Sequence, residues 1–273
     1  MLPYLFCAAL WFAEEQPLQI SVSSNPPLPP QSLLRNGSFE DAEGGRPRYW
    51  SWGTAMPENF EAAWTKEGRG GSHCIVVRSK SEEMSGYWSQ SVDVEPDRQY
   101  LLTGWYRLLG GRLLVYAHGR AAGQNLDARF YAGSPVQAVL VPEFLKPEYV
   151  IGGSPDQWQP FKLTFRVPPG MKAIAISAGM YFTPGVVWFD DFSLTPAETT
   201  LQVQVTSQDA IKRVTLVRLD TSATLWDSGE LTGQKQHRFE ATIPGVPTDA
   251  SYEVAVHLAD GRVARQRYPQ GEQ

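Results

Sequence analysis

The 273-residue sequence holds only 2 Cys and 4 His. Two thiols are too few for a disulfide scaffold or a zinc ribbon. Charge is also scarce, at 19% Asp, Glu, Lys and Arg against about 25% in an ordinary soluble domain. That shortage excludes a coiled coil, a long helical bundle and charge-rich disorder. There is no basic excess either: 24 Lys and Arg stand against 29 Asp and Glu, a net charge of −5. A nucleic-acid partner, which needs a clustered basic face, is not expected. The apolar run over residues 2–13 is shorter than the ~20 residues that cross a bilayer, so no transmembrane span is expected. Also missing are a G-x-S-x-G elbow, an H-E-x-x-H pair, a phosphate loop, a dinucleotide fingerprint and a C-x-x-C pair. Ser72, His73 and Cys74 are tempting residue types, but neighbours on a strand point to opposite faces and cannot form a relay. Asp190 and Asp191 are ruled out as a glycosidase pair for the same reason. The sequence therefore reads as non-catalytic.

What is abundant is Gly (24), Pro (21) and aromatic residues, a composition that suits a turn-rich β protein. No convincing amphipathic helix is present. Alternating segments bounded by Gly, Pro, Asp or Asn predict strands at 74–79, 87–94, 100–108, 112–118, 161–167, 172–179 and 186–194. A second set is predicted at 201–206, 213–219, 224–228, 238–243, 252–258 and 262–268. Between Leu33 and Pro196 there are 24 aromatic residues, whereas only four follow from Thr199 to Gln273. With Pro196 at the break, this marks a domain boundary. Residues 14–32 contain Asn25-Pro-Pro-Leu-Pro-Pro30 and read as a stiff extended linker. Residues 1–13 have the length of a signal-peptide core, with Ala13 before Glu14 as the cleavage point and no preceding Lys or Arg. The run reads as a signal peptide or, failing that, a buried first strand. Export would place the protein in the periplasm, at the cell surface or in the medium.

Parity within the strands sorts the side chains. In 100–108, Trp105 and Arg107 share a face with Leu101 and Thr103, opposite Tyr100, Leu102, Tyr106 and Leu108. A lone Arg is costly in a core, so that face is expected to be wet. Trp50, Trp88 and Trp188 are expected in the core, and Cys74 is expected to be a small core hydrophobe.

Several pieces then line up in order: Leu34-Arg-Asn-Gly-Ser-Phe-Glu40 with Pro47 and Trp50, then Gly71-Ser72, Gln90, Val92-Asp-Val-Glu-Pro-Asp97, Tyr100, Trp105-Tyr-Arg107 and finally Trp188-Phe-Asp-Asp-Phe-Ser-Leu194. Over residues 33–196 the chain resembles carbohydrate-binding modules of families four and nine. The resemblance implies an all-β fold, a galactose-binding-like jelly roll. It also implies a polysaccharide or other glycan as partner and a structural calcium ion (Ca2+) where the first and last strands meet. By position, Glu40 and Asp190 would give carboxylates, with main-chain carbonyls near Ser38 and Gly71. The other reading leaves Asp190 capping backbone amides and Glu40 in solvent. Sugars stack their C–H faces on rings and hydrogen-bond through their hydroxyls. Trp105 with Arg107 fits that chemistry, as do Tyr131, Phe144 and Tyr149 in the excursion over residues 119–157. That excursion closes a binding groove or replaces the modules' sugar site. Residues 199–268 read as an immunoglobulin-like or fibronectin-like β-sandwich without chemistry of its own, a spacer or a contact surface for a protein partner. An envelope or assembly protein that binds another protein is the alternative to the glycan reading.

Overall fold

A computed structural model describes residues 18–121, 123–133, 157–231 and 237–269. The signal-peptide reading of residues 1–13, and Phe144 and Tyr149, lie outside the described residues. No helix among those described is long and apolar enough to cross a membrane. The chain forms two compact units, one of Pro30–Ala197 and one that gathers the part before Pro30 with everything from Glu198 onward.

Strand β1 (Gln19–Asn25) opens the chain. The larger unit follows with β2 (Ala42–Glu43), β3 (Arg46–Pro47), β4 (Ser51–Thr54), β5 (Phe60–Thr65), β6 (Cys74–Ser79), β7 (Ser85–Asp93) and β8 (Gln99–Leu109). It continues through β9 (Arg112–Ala121), β10 (Gln124–Gly133), β11 (Gln159–Arg166), β12 (Ala173–Tyr181) and β13 (Gly185–Pro196). Ten of these strands make two antiparallel five-stranded sheets, ordered β10-β9-β12-β7-β4 and β11-β8-β13-β6-β5. They face each other as an all-β jelly-roll sandwich. The core lies between them because each strand sends alternate apolar residues inward: Leu113, Val115 and Ala117 from β9, Ile174, Ile176 and Ala178 from β12, and Tyr100, Leu102 and Tyr106 from β8. Phe192 is the hub of this core, with ring centroids 5.0–5.8 Å from Phe39, Trp50, Phe161 and Phe189. A Cβ on Gly37 would stand 1.9 Å from the Phe192 carbonyl oxygen, so only glycine lets the N-terminal segment cross here. Trp50 and Trp88 are core residues, as expected, and Cys74 is fully buried.

The smaller unit comprises β1 with β14 (Glu198–Thr206), β15 (Ile211–Arg218), β16 (Thr224–Asp227), β17 (Arg238–Pro247), β18 (Tyr252–Leu258) and β19 (Val263–Tyr268). Its two sheets are β1-β14-β17 and β16-β15-β18-β19. The linker reading of 14–32 needs correction: residues 19–25 form a strand paired with β14, from Gln19↔Thr206 to Asn25↔Thr200. Alternation in Ile20, Val22 and Ser24 precedes the proline run over residues 26–30, and that run only ends the strand. The jelly roll is thus inserted between the first two strands of the smaller sandwich. Its own two ends meet, with Leu33 N–H donating to the Leu194 carbonyl at 2.8 Å. Adjacent termini are what domain insertion requires.

Tyr252, fully buried at the start of β18, donates its hydroxyl proton to the Pro247 carbonyl upstream. The bond pins the corner between β17 and β18. Tyr252→Phe leaves that carbonyl without its donor, which costs about 1–3 kcal/mol. In calorimetry the transition of the smaller sandwich should fall while that of the jelly roll stays in place.

Candidate functional site

The sandwich has two outer faces, and the predicted residues divide between them. Trp105 and Arg107 point outward from β8, on the β11-β8-β13-β6-β5 sheet, and both are half-buried. Their rings and guanidinium are already stacked. Arg69 lies over the Trp105 ring at 4.4 Å, while Arg107 sits 4.3 Å from the Trp188 ring and 5.4 Å from that of Trp158. The indole N–H of Trp188 donates to Glu67 Oε2 at 2.7 Å. That bond is the main reason the Glu67 carboxyl stays below its ordinary range. Trp188 is therefore not a core residue. The register between β13 and β8 shifts between Asp190 and Ser193, so Trp188 and Asp190 face outward while Phe192 and Leu194 return to the core. Parity carried straight through this bulge puts Trp188 on the side of Phe192 and Leu194, which is why it is expected in the core.

Of the expected calcium ligands, Glu40 and Asp190 both bond to the segment over residues 68–73. Glu40 gives both oxygens to His73, accepting from the backbone N–H at 2.8 Å and meeting Nδ1 at 3.0 Å. Burial works to raise the Glu40 carboxyl, but the His73 bonds outweigh it and the balance is downward. Asp190 is fully buried. It accepts from Arg69 N–H at 2.8 Å, Ser72 Oγ at 3.3 Å and Asp191 N–H at 2.8 Å. Burial nonetheless pushes its carboxyl up to about 6. The Arg69 side chain goes instead to Asp191, at 2.8 Å. Ser38 and Gly71 are exposed. Among the described residues no three of His, Cys, Asp and Glu come together as a metal cluster.

Tyr131 stands on the other sheet, whose outer face carries the denser constellation. Cross-strand register sets Tyr131, Leu114, Gly179, Tyr87 and Gly53 in one line over β10, β9, β12, β7 and β4. The next line is Arg129, Tyr116, Ser177, Ser89 and Ser51. A third holds Asp127, His118, Ala175 and Ser91. Leu114 and Tyr181 are buried here, with Tyr87, Tyr116 and Tyr131 packed on them. The rings of Tyr87 and Tyr116 meet edge to face at 5.3 Å, those of Tyr131 and Tyr181 lie 5.6 Å apart, and Tyr116 stacks on His118 at 4.2 Å. Tyr116, His118, Arg120, Asn125, Asp127 and Arg129 line a shallow depression of about 400 Å³, within the range of small-ligand sites. At the far side of the sheet, a Cβ on Gly53 would meet no atom of the described residues within 4 Å.

The charged groups around the depression are Arg120, Asp127 and Arg129, and Arg120 donates to the neutral Asn125 Oδ1 at 3.0 Å. Asp127 is gripped by Arg129 through two bonds of 2.6 Å, and Arg129 also donates to Tyr131 Oη at 3.0 Å. Burial raises the hydroxyls of Tyr87, Tyr116 and Tyr181, which therefore keep their protons at neutral pH. Burial lowers His118, against the smaller pull of Asp127, so the imidazole is neutral. His118 Nε2 lies 3.0 Å from Ser177 Oγ, and Asp127 pairs across from His118. The residue types are those of a hydrolytic triad, but the arrangement is not one. Ser177 is 1% exposed and shares its hydroxyl with Ser89 at 2.7 Å, while Asp127 is spent on Arg129. What the face offers is rings and neutral hydrogen-bonding groups, with the Arg120 guanidinium at the depression. Tyr87, Tyr116, His118 and Tyr181 escaped the sequence reading, although the alternation in 112–118 already placed Leu114, Tyr116 and His118 on one side.

No family model matches this sequence, and no curated protein does. Solved structures similar to it include the enzymatically active domain of tailspike protein 4 from bacteriophage CBA120, at 14% identity and a TM-score of 0.44. That match covers 60% of this chain and 21% of the tailspike chain. The CBM22-1 xylan-binding domain of Paenibacillus barcinonensis Xyn10C is 13% identical, with a TM-score of 0.41 over 61% of this chain and 95% of that one. TmCBM61, solved with β-1,4-galactotriose, is 14% identical, with a TM-score of 0.39 over 61% of this chain and 99% of its own.

Proposed function

We propose that the jelly-roll unit is a non-catalytic glycan-binding module whose ligand lies on the tyrosine-bearing face. The observation that carries this is a cluster of tyrosine rings beside a line of hydroxyls on one face of a sheet. Tyr131, Tyr87 and Tyr116 offer apolar faces to pyranose C–H groups, and His118, Ser89 and Ser51 offer donors and acceptors to sugar hydroxyls. Asp127 and Arg129 pair with each other, and rings and neutral groups outnumber the single remaining charge of Arg120, which favours a neutral polysaccharide over a polyuronate. A glycan ligand agrees with the export expected of residues 1–13. The test is affinity electrophoresis of the full chain in gels containing β-1,4-galactan, xylan or polygalacturonate. Retardation by a neutral polymer and not by polygalacturonate is the expected result, and free migration in all three gels would sink the proposal.

The calcium expectation is kept as part of the same proposal. Asp190 is fully buried and bonds N–H and O–H donors but no cationic side chain among the described residues, which fits a cation beside it. Carbonyls at Ser38 and Gly71 would supply further oxygens, and the ion would tie the last strand to the N-terminal segment. Binding only to the folded state would add about 2.7 kcal/mol at a hundredfold excess over Kd. Chelator should then lower the melting temperature by several degrees, and Asp190→Ala should remove that sensitivity. An unchanged melting curve in chelator removes the ion.

A further inference from the structure

The turn between β12 and β13 presents an aromatic ring that stays largely open to solvent. Phe182 is 42% exposed, and its backbone sits at φ 51, in the left-handed region. For a bulky side chain that conformation is a real outlier, and strain of this kind collects at ligand sites. The turn cannot relax it. Thr183, which is buried, accepts from Arg112 N–H at 2.7 Å and donates back to the Arg112 carbonyl at 3.4 Å. A Cβ on Gly185 would stand 2.3 Å from the Gly110 carbonyl oxygen, so the turn is also wedged against its neighbour. Held before Phe182 by the pairing of Tyr181 with Ser85 and after it by Thr183 and Gly185, the chain keeps the ring outward.

The direction of that ring is informative. It stands edge to face against Tyr181 at 4.7 Å, and Tyr181 lies 5.6 Å from Tyr131. Phe182 is therefore the exposed last member of a row of rings that begins on the tyrosine face. Glycine would suit the backbone better and a polar residue the exposure, and against both stands, among the described residues, only the edge-to-face contact with Tyr181.

We infer that Phe182 is a ligand-contacting ring, a lip that extends the tyrosine face and covers the apolar side of a sugar unit bound beside Tyr181. The inference rests on the glycan reading above and adds a contact that neither the motifs nor the depression near His118 includes. The experiment compares wild type, Phe182→Gly and Phe182→Trp as full-length chains, in the β-1,4-galactan and xylan gels and in thermal melts. Phe182→Gly is expected to melt at the wild-type temperature or a few degrees above it, while its affinity for the retarding polymer falls about tenfold. Phe182→Trp, which keeps a ring, is expected to bind as wild type does. Equal retardation of wild type and Phe182→Gly would overturn the lip and leave the glycan reading standing. A lower melting temperature for Phe182→Gly with undiminished retardation would make the ring a structural prop and overturn it too. If the wild type itself runs free in both gels, lip and glycan reading fall together.

Discussion

Phe192→Ala is expected to lower the unfolding transition of the jelly roll by roughly 10 °C and to leave that of the smaller sandwich where it was. Phe192 is 3% exposed and touches four other aromatic rings, drawn from the N-terminal segment, β11 and its own strand. Truncating such a side chain costs about 3–5 kcal/mol, because the transfer energy is lost and the surrounding rings cannot collapse into the space. For a unit of this size each kcal/mol moves the midpoint by about 2–4 °C. The smaller sandwich has a separate core, built on Leu201, Val203, Val214, Tyr252 and Val256. Scanning calorimetry of the variant should therefore show one shifted and one fixed transition. If both move together, the insertion has fused the two units into one cooperative system, and the independent-unit description fails.

That insertion was hidden in the sequence by five residues. The proline run over residues 26–30 dominates the composition of 14–32, so the whole stretch reads as a spacer, although the alternation that makes β1 lies just before it. Elsewhere, alternation was a sufficient guide. The strands at 74–79 and 252–258 match their observed limits, and the turns at Gly110-Gly111 and Gly170 take the positive φ that glycine allows. β10 was passed over because it opens the excursion that begins at 119, yet Leu126, Ala128, Phe130 and Ala132 alternate inward there. The bulge in β13 was not legible at all. One extra residue leaves no mark in the pattern of a strand, and it moved Trp188 from the expected core to the surface. The site was half legible for a related reason. Parity says which residues of one strand share a side, but not which sheet the strand joins. Trp105 and Arg107 were thus grouped with Tyr131, which lies on the opposite sheet.

The contrast between those two faces yields the other large effect. Tyr116→Ala is expected to weaken binding to the retarding polysaccharide by about 1–3 kcal/mol, the scale of one lost aromatic contact, which is roughly tenfold or more in Kd. Trp105→Ala is expected to do the reverse, leaving Kd unchanged while the melting temperature falls. The reason is what each ring already touches. Tyr116 borders the open depression and stacks on neutral His118, so a sugar ring can reach it. Trp105 carries the Arg69 guanidinium on its face at 4.4 Å, a cation–π contact worth about 0.5–2 kcal/mol. Arg69 also holds Asp191 at 2.8 Å, and its backbone N–H holds buried Asp190. Removing the indole therefore loosens the segment that cradles Asp190, and a sugar could stack on the ring only by displacing Arg69 from both partners. Tyr116→Phe separates packing from hydrogen bonding at the first position, since it keeps the ring and loses only the hydroxyl near Ser177. Titration calorimetry with the same polymer reads both positions. Should Trp105→Ala lose affinity while Tyr116→Ala keeps it, the ligand lies on the Trp105 face, and the stacked arginines there are the groups that yield to it.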